Sequence, residues 1–216
     1  MLKTSEKLLS LETARSLVYR RLADAYRLPS ADLPLVAQEL EAALVELESE
    51  AWENAARMKK DCLSVNGQNN LKVDYAKIFI GPFMAPAPPY GSIYLEDKRR
   101  LMEASTVDVR QHYLTLGLDL SPDFKEAPDH VTAELEFMHV LINQGMEAIE
   151  FSDGRLLSES IHHQRIFLGN HIGAWIIAFA DKIAEHANTD YYRNLATVTR
   201  IFIAEDIEAL PDLTAC

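Results

Sequence analysis

The stretch "EAPDHVTAELEFMHVLINQGMEAIE", Glu126 to Glu150, decides how this chain folds. Val131, Leu135, Phe137, Met138, Leu141, Ile142, Met146 and Ile149 recur at three- and four-residue steps. Together they cover well over half of a helix circumference. A helix that is apolar on most sides needs neighbours on most sides, so this one is expected at the centre of the molecule. Its beginning is unusual. Pro128 pins the chain, and the carboxylate of Asp129 stands where it can cap the free N–H groups of the first turn and suit the helix dipole. His130 then falls in that first turn, where positive charge is disfavoured, and is expected to be neutral at pH 7. Glu134, one turn later, is spaced to orient it. The segment reads either as a plain capped helix start or as a polar, acidic helix mouth.

Working outward toward the N-terminus, Ser5 to Leu28 carries one apolar stripe through Leu8, Leu11, Val18, Leu22 and Ala25, and Pro29 stops it. Asp32 is placed to cap a second helix, with Pro34 in its first turn, running to about Glu50. Trp52 to Leu63 continues helically, and "NGQNN", Asn66 to Asn70, reads as a turn. Leu71 to Phe79 is a short helix with Tyr75 and Phe79 one turn apart as core anchors. Four prolines follow, Pro82, Pro86, Pro88 and Pro89. They hold this loop extended and stiff, at little entropic cost to any binding event.

Asp97 to Leu116 is the next helix, closed by Gly117. The loop 117–128 is suited to act as a hinge through which helices could be exchanged between two chains. Beyond the central helix, Ser152 to Gly154 is a turn. Helices are expected over about Leu156–Phe167 and Gly169–Ala187, and a last one from Asp190 to about Ile207, capped by "NTD". No segment shows sustained two-residue alternation and no repeat is present. The expectation is an all-α, single-domain bundle of about eight or nine helices, with the proline-rich loop between its N- and C-terminal halves.

Composition narrows the function. Across 216 residues the net charge is −12, which repels phosphate and argues against nucleic acid as a partner. A basic peptide would be attracted. The longest apolar run, Gly173 to Ala180, is too short to span a bilayer, and the first residues lack the sustained apolar stretch of a secretory signal. Two cysteines, Cys62 and Cys216, make no disulfide framework and read as reduced thiols of a cytoplasmic protein.

Catalytic and metal motifs are scarce. There is no glycine-rich phosphate loop, nucleophile elbow or HExxH. His162 and His163 are neighbours that point about 100° apart on a helix, so they read as surface residues. Glu136-x-x-His139 occurs once, whereas a di-iron bundle needs the pattern on two helices. His139 therefore reads as a half-buried, hydrogen-bonded histidine, and no metal ligands are assigned. His171 and Trp175 are four apart and read as a core histidine packed on an indole.

Taken in order, "YAKIF" with "GPF", then "PPYGSIY", "EAPDH" with "ELEFM", and His171 with Trp175 resemble the TorD/DmsD/NarJ family of redox-enzyme maturation proteins. The likeness runs from about Leu11 to Ile207. The family's aromatic-x-x-Leu-Phe motif falls on Tyr75, Ile78 and Phe79, with isoleucine in place of leucine. Its Pro-aromatic loop falls on Pro89 and Tyr90, with Tyr94 just beyond. Its Glu-Pro-x-Asp-His motif falls on Glu126, Asp129 and His130, with Ala127 where the motif has proline.

The resemblance implies an all-helical cytoplasmic chaperone, not an enzyme. It implies binding of the twin-arginine signal peptide, or a related N-terminal segment, of a molybdopterin oxidoreductase subunit, held until its cofactor is inserted. It implies no cofactor of the chaperone's own, beyond weak guanine-nucleotide binding associated with the family and contact with the client's molybdopterin. A nucleotide-hydrolysing enzyme and a non-catalytic helical scaffold are the competing readings, and monomer or dimer is left open. Guanidinium groups pair well with carboxylates. On this reading Glu126, Asp129 and Glu134 receive the arginines, while Phe83, Met84, Tyr90 and Tyr94 offer apolar contact. Exposed ion pairs give only about 0–1 kcal/mol each. The apolar part of the guest is therefore expected to supply most of the affinity, with moderate weakening by salt. Replacing Asp129 and His130 with alanine is expected to lower peptide affinity more than melting temperature.

Overall fold

The computed structural model describes residues 2–63, 67–82, 84–96 and 102–210. Helix dominates. The first half contains α1 (Leu2–Ala25), α2 (Leu33–Glu46), α3 (Trp52–Cys62), α4 (Gly67–Tyr75) and the single-turn α5 (Ser92–Leu95). The second contains α6 (Ala104–Thr115), α7 (Val131–Glu150), α8 (Gly154–Asn170), α9 (Ile172–His186) and α10 (Asp190–Ala209). Among the described residues there is no strand, only an isolated antiparallel bridge between Tyr90 and His130. The all-α bundle expected from periodicity is the fold, and the proline-rich loop joins its halves.

Helix α7 is central, as its apolar girth requires. It packs against α1 on one side and α8 on another, with α9 at a third contact. Leu135, Met138, Leu141 and Ile142 are wholly buried along it. Around this axis α1 leans on α2, α2 on α3, and α10 closes the bundle against α3 and α9. His139 is half-buried and hydrogen-bonded to Ser16 and Asn143, as expected. An ion pair also lies in the core. Arg15 of α1 forks onto Asp206 of α10, with Gln164 accepting from it at 2.7 Å and Tyr19 donating to Asp206 at 2.6 Å. Burial alone would lower the Arg15 pKa, but Asp206, with Tyr19 and Glu12, more than offsets it and the guanidinium stays charged.

Several local expectations are corrected. "NGQNN" is not a turn from Gly67 onward, because Gly67 to Asn70 open α4. Asn66 lies outside the described residues. Leu71–Phe79 is not one helix: α4 ends at Tyr75 and a wide π turn, Ala76–Ile80, follows. That turn still brings the Tyr75 and Phe79 rings to 5.0 Å and seats Phe79 against Tyr26, Phe179 and Tyr192. Gly81 ends it at φ +64°, where a Cβ would lie 2.6 Å from the Met84 carbonyl oxygen.

Asp32 makes no side-chain cap on α2, and Thr189 none on α10. The start of α10 is capped from a distance instead. Buried Asp74 of α4 accepts the Asn188 N–H, the Thr189 N–H and the Thr189 hydroxyl. Met102 and Glu103 are not helical, so α6 begins later than expected, and residues 97–101 lie outside the described residues.

Candidate functional site

The proline-rich loop and the start of α7 are tied together by main chain. Gly91 N–H donates to the Asp129 carbonyl and Val131 N–H to the Pro89 carbonyl, both at 2.9 Å. This pair of bonds forms the Tyr90–His130 bridge and fixes "PPYGSIY" against "EAPDH". The two motifs are therefore one structural unit, although 36 residues separate Tyr90 from Glu126.

Within it the acidic residues take different places. Asp129 is fully buried, and its carboxylate accepts the Ser92 N–H at 2.8 Å. It thus holds the short helix α5 and does not cap α7. The cap of α7 is His130, whose Nδ1 accepts the Thr132 N–H at 3.3 Å and lies 2.8 Å from the Thr132 hydroxyl. An accepting Nδ1 leaves the ring proton on Nε2 of a neutral imidazole. Burial, opposed by Glu126 and Asp129, pushes the His130 pKa down to about 4. Neutrality was expected from the dipole; desolvation is the larger cause.

Glu134 does not orient His130. It is buried beneath the loop and accepts the indole N–H of Trp175 at 3.1 Å. Burial pushes its carboxyl well above the ordinary range, the Trp175 bond opposes this, and Asp129 adds to it. Trp175 stacks on Tyr94 at 5.5 Å. It does not carry His171, whose ring neighbours are His112 and Phe167. Gly91 lies directly over the Glu134–Trp175 pair. A Cβ there would come within 2.9 Å of the indole nitrogen and 3.1 Å of the Glu134 carboxyl. The glycine of "PPYGSIY" is thus needed for close packing.

The exposed part of the unit is Glu126 and the edge of Tyr90. Tyr90 donates its hydroxyl to Glu126 and rests edge-on against His130 at 5.2 Å. Phe124 is also edge-on to the imidazole, at 6.0 Å. Phe124 also walls an open groove of about 400 Å³, with Tyr113, Leu118, Leu120, Ala133, Phe137 and Val140. Asp119, Asp123, Glu136 and Arg27 rim it, and Arg27 pairs with Glu136. Tyr113 and Phe137 pack at 4.6 Å, and the Tyr113 hydroxyl donates to the Pro128 carbonyl, so the floor is firm.

Of the side chains expected to offer apolar contact, Met84 is exposed, Tyr94 is spent on Trp175, and Phe83 lies outside the described residues. The groove itself was missed. Its walls come from α6, α7 and the loop between them, with Arg27 from the turn after α1, and Leu118, Leu120 and Phe124 in "GLDLSPDF" were the only local hint of it.

Three comparisons bear on this chain. The family model described as nitrate reductase delta subunit matches residues 34–181. The chain is 27% identical over 98% of its length to the chaperone protein TorD of a Psychrobacter species, covering 98% of that protein. It is 27% identical to the Tat proofreading chaperone DmsD of Salmonella typhi, over 74% of this chain and 69% of that one. A crystal structure of a candidate redox enzyme maturation protein from Archaeoglobus fulgidus superposes with a TM-score of 0.53 at 21% identity, over 88% of this chain and 93% of that one. At that identity the likeness supports the fold alone.

Proposed function

This chain belongs to the nitrate reductase delta subunit family, with TorD and DmsD chaperones among its relatives, and from that premise we propose that it is a cytoplasmic chaperone that grips the twin-arginine leader of a molybdopterin oxidoreductase subunit. The coarser part is established by kinship: the protein is a maturation chaperone of redox enzymes and not an enzyme. No helix among the described residues is long and apolar enough to cross a membrane.

The observation that carries the finer reading is the position of Glu126. It is an exposed carboxylate without an ion pair among the described residues, fixed by Tyr90 and two residues along the chain from Phe124, which walls the apolar groove. A guest with guanidinium groups followed by apolar side chains matches that order of surfaces. One arginine meets Glu126 by charge-assisted hydrogen bonds, and Asp123 at the rim adds field. The apolar segment lies along Phe124, Leu118, Phe137 and Val140, where burial of about 25 cal/mol per Å² supplies most of the affinity. Asp129 and Glu134 act from beneath, by holding the loop that presents Tyr90 and Glu126.

The test is titration of fluorescent leader peptides from the host's molybdenum enzymes into the protein. Glu126→Ala and Phe124→Ala should each weaken binding, and a leader with both arginines changed to glutamine should bind the Glu126→Ala variant no more weakly than it binds wild type. Equal binding of every leader to wild type and both variants would remove the groove from consideration.

A further inference from the structure

We propose that Asp108, His112 and His171 form a binding site for a zinc-class divalent cation that ties α6 to the corner between α8 and α9. One ligand atom from each residue lies within 4.8 Å of the others. Asp108 and His112 are one turn apart on α6 and share a face. His171 sits in the break between α8 and α9, with φ −118° and ψ −108°. None of the three lines the groove, so this site is separate from the peptide surface and does not depend on that reading.

A second observation points to a ligand. His171 is only 2% exposed, yet neither of its ring nitrogens has a hydrogen-bond partner among the described residues. Buried ring nitrogens are ordinarily satisfied. Nε2 comes to 3.3 Å from Oδ2 of Asp108 but is not aligned with it as a hydrogen bond. The two atoms stand beside each other as ligands of one centre do. The His112 ring is edge-on to His171 at 4.9 Å, and Phe167 backs both rings.

The donor set selects the metal. Two imidazoles and a carboxylate suit zinc, nickel or copper and not magnesium or calcium. Tetrahedral zinc, with bonds of about 2.0–2.2 Å, sets its ligand atoms roughly 3.3 Å apart. The His171–Asp108 pair already has that separation. Asp108 is exposed and His112 half-buried, so rotation of these side chains can close the remaining distance. A fourth position stays open to water. The cation would fasten α6, which leads into the loop bearing Phe124 and Glu126, to the C-terminal helices, and so stabilise the folded chain by linkage.

The experiment uses the full, untagged chain stripped with a chelator and titrated with zinc by calorimetry, with cobalt absorption as a spectroscopic probe. One equivalent should bind and raise the melting temperature. Asp108→Asn and His112→Gln should each weaken zinc by about tenfold or more, since losing even a partner outside the coordination shell costs about that much. The metal-free melting temperature should stay nearly unchanged in both, because neither side chain is deeply buried. The neighbouring pair of α8, exposed His162 and half-buried His163, is the control, and His162→Ala with His163→Ala should leave zinc affinity intact. Absence of stoichiometric binding, affinity unaltered in both α6 variants, or loss only in the His162 and His163 variant would overturn the site.

Discussion

Two parts of the loop–helix unit carry the same chemistry to opposite ends. Asp129 and Glu134 are carboxyl groups turned inward, onto Ser92 and Trp175. Glu126, three residues before Asp129, is a carboxylate turned outward, held by Tyr90. Inside, a polar group is expensive to bury and becomes strongly destabilising when its partner is removed. Outside, a carboxylate costs little to keep and little to lose from the fold, so it is free to serve a guest. The contrast teaches that a motif read as one binding patch is two devices, a buried clamp and an exposed handle.

The comparison can be broken first at the clamp. Trp175→Ala should cost about 3–5 kcal/mol of stability, since it removes a fully buried indole and orphans Glu134. Thermal denaturation measures this, and a melting temperature close to wild type would deny that Trp175 anchors the loop. Next comes pH. His130 is neutral in the fold down to about 4 but has an ordinary value of 6.5. The unfolded chain therefore takes up the proton first on acidification. Its contribution is complete above 6.5 and is lost as pH falls toward 4, by up to roughly 3 kcal/mol. Glu134 has the opposite sign. Its raised pKa keeps the folded state protonated while the unfolded state ionises, so its contribution declines as pH rises past 4.5. His130→Asn should flatten the acid limb of stability against pH, and Glu134→Gln should remove the decline above it. Profiles parallel to wild type in both variants would contradict the buried assignment.

Asp129→Ala should cost about 1–3 kcal/mol, because the Ser92 N–H loses its acceptor. Peptide affinity of the still-folded variant should change less than its stability. This reverses the order expected from the sequence for the Asp129 and His130 pair, where affinity was to fall further than melting temperature. The reason is that both side chains are buried. The smallest effect belongs to the handle. Glu126→Ala should alter stability by less than about 0.5 kcal/mol, while peptide affinity drops about fivefold and loses part of its salt dependence. An affinity that responds to salt as strongly in Glu126→Ala as in wild type would move the contact elsewhere.

Much of the fold could be read along the chain because helices are local. The girdle of Val131, Leu135, Met138 and Ile142 announced a central helix from three- and four-residue spacing alone, and α7 is that helix. The proline-rich loop was legible for the same reason, since each proline fixes its own backbone. Spacing misled where a side chain has a choice of partners. Asp129 stood one residue from the cap position, and His130 took it. Glu134 was one turn from His130, yet Trp175, 41 residues away, claimed it. Gly67–Asn70 has the composition of a turn, but α4 forms there, with Gly67 and Leu71 buried.

The sequence by itself determined the helical class, the stiff loop, the absence of familiar catalytic motifs and a family likeness carried by ordered motifs. All of these rest on local backbone preference or on residue identity. Only the tertiary structure decided which carboxyl groups face inward, that α6, α7 and the loop between them enclose a groove, and that His171 meets Asp108 and His112 across two helices. Those outcomes depend on which surfaces meet when apolar stripes pack, and residues far apart in the chain become neighbours only then.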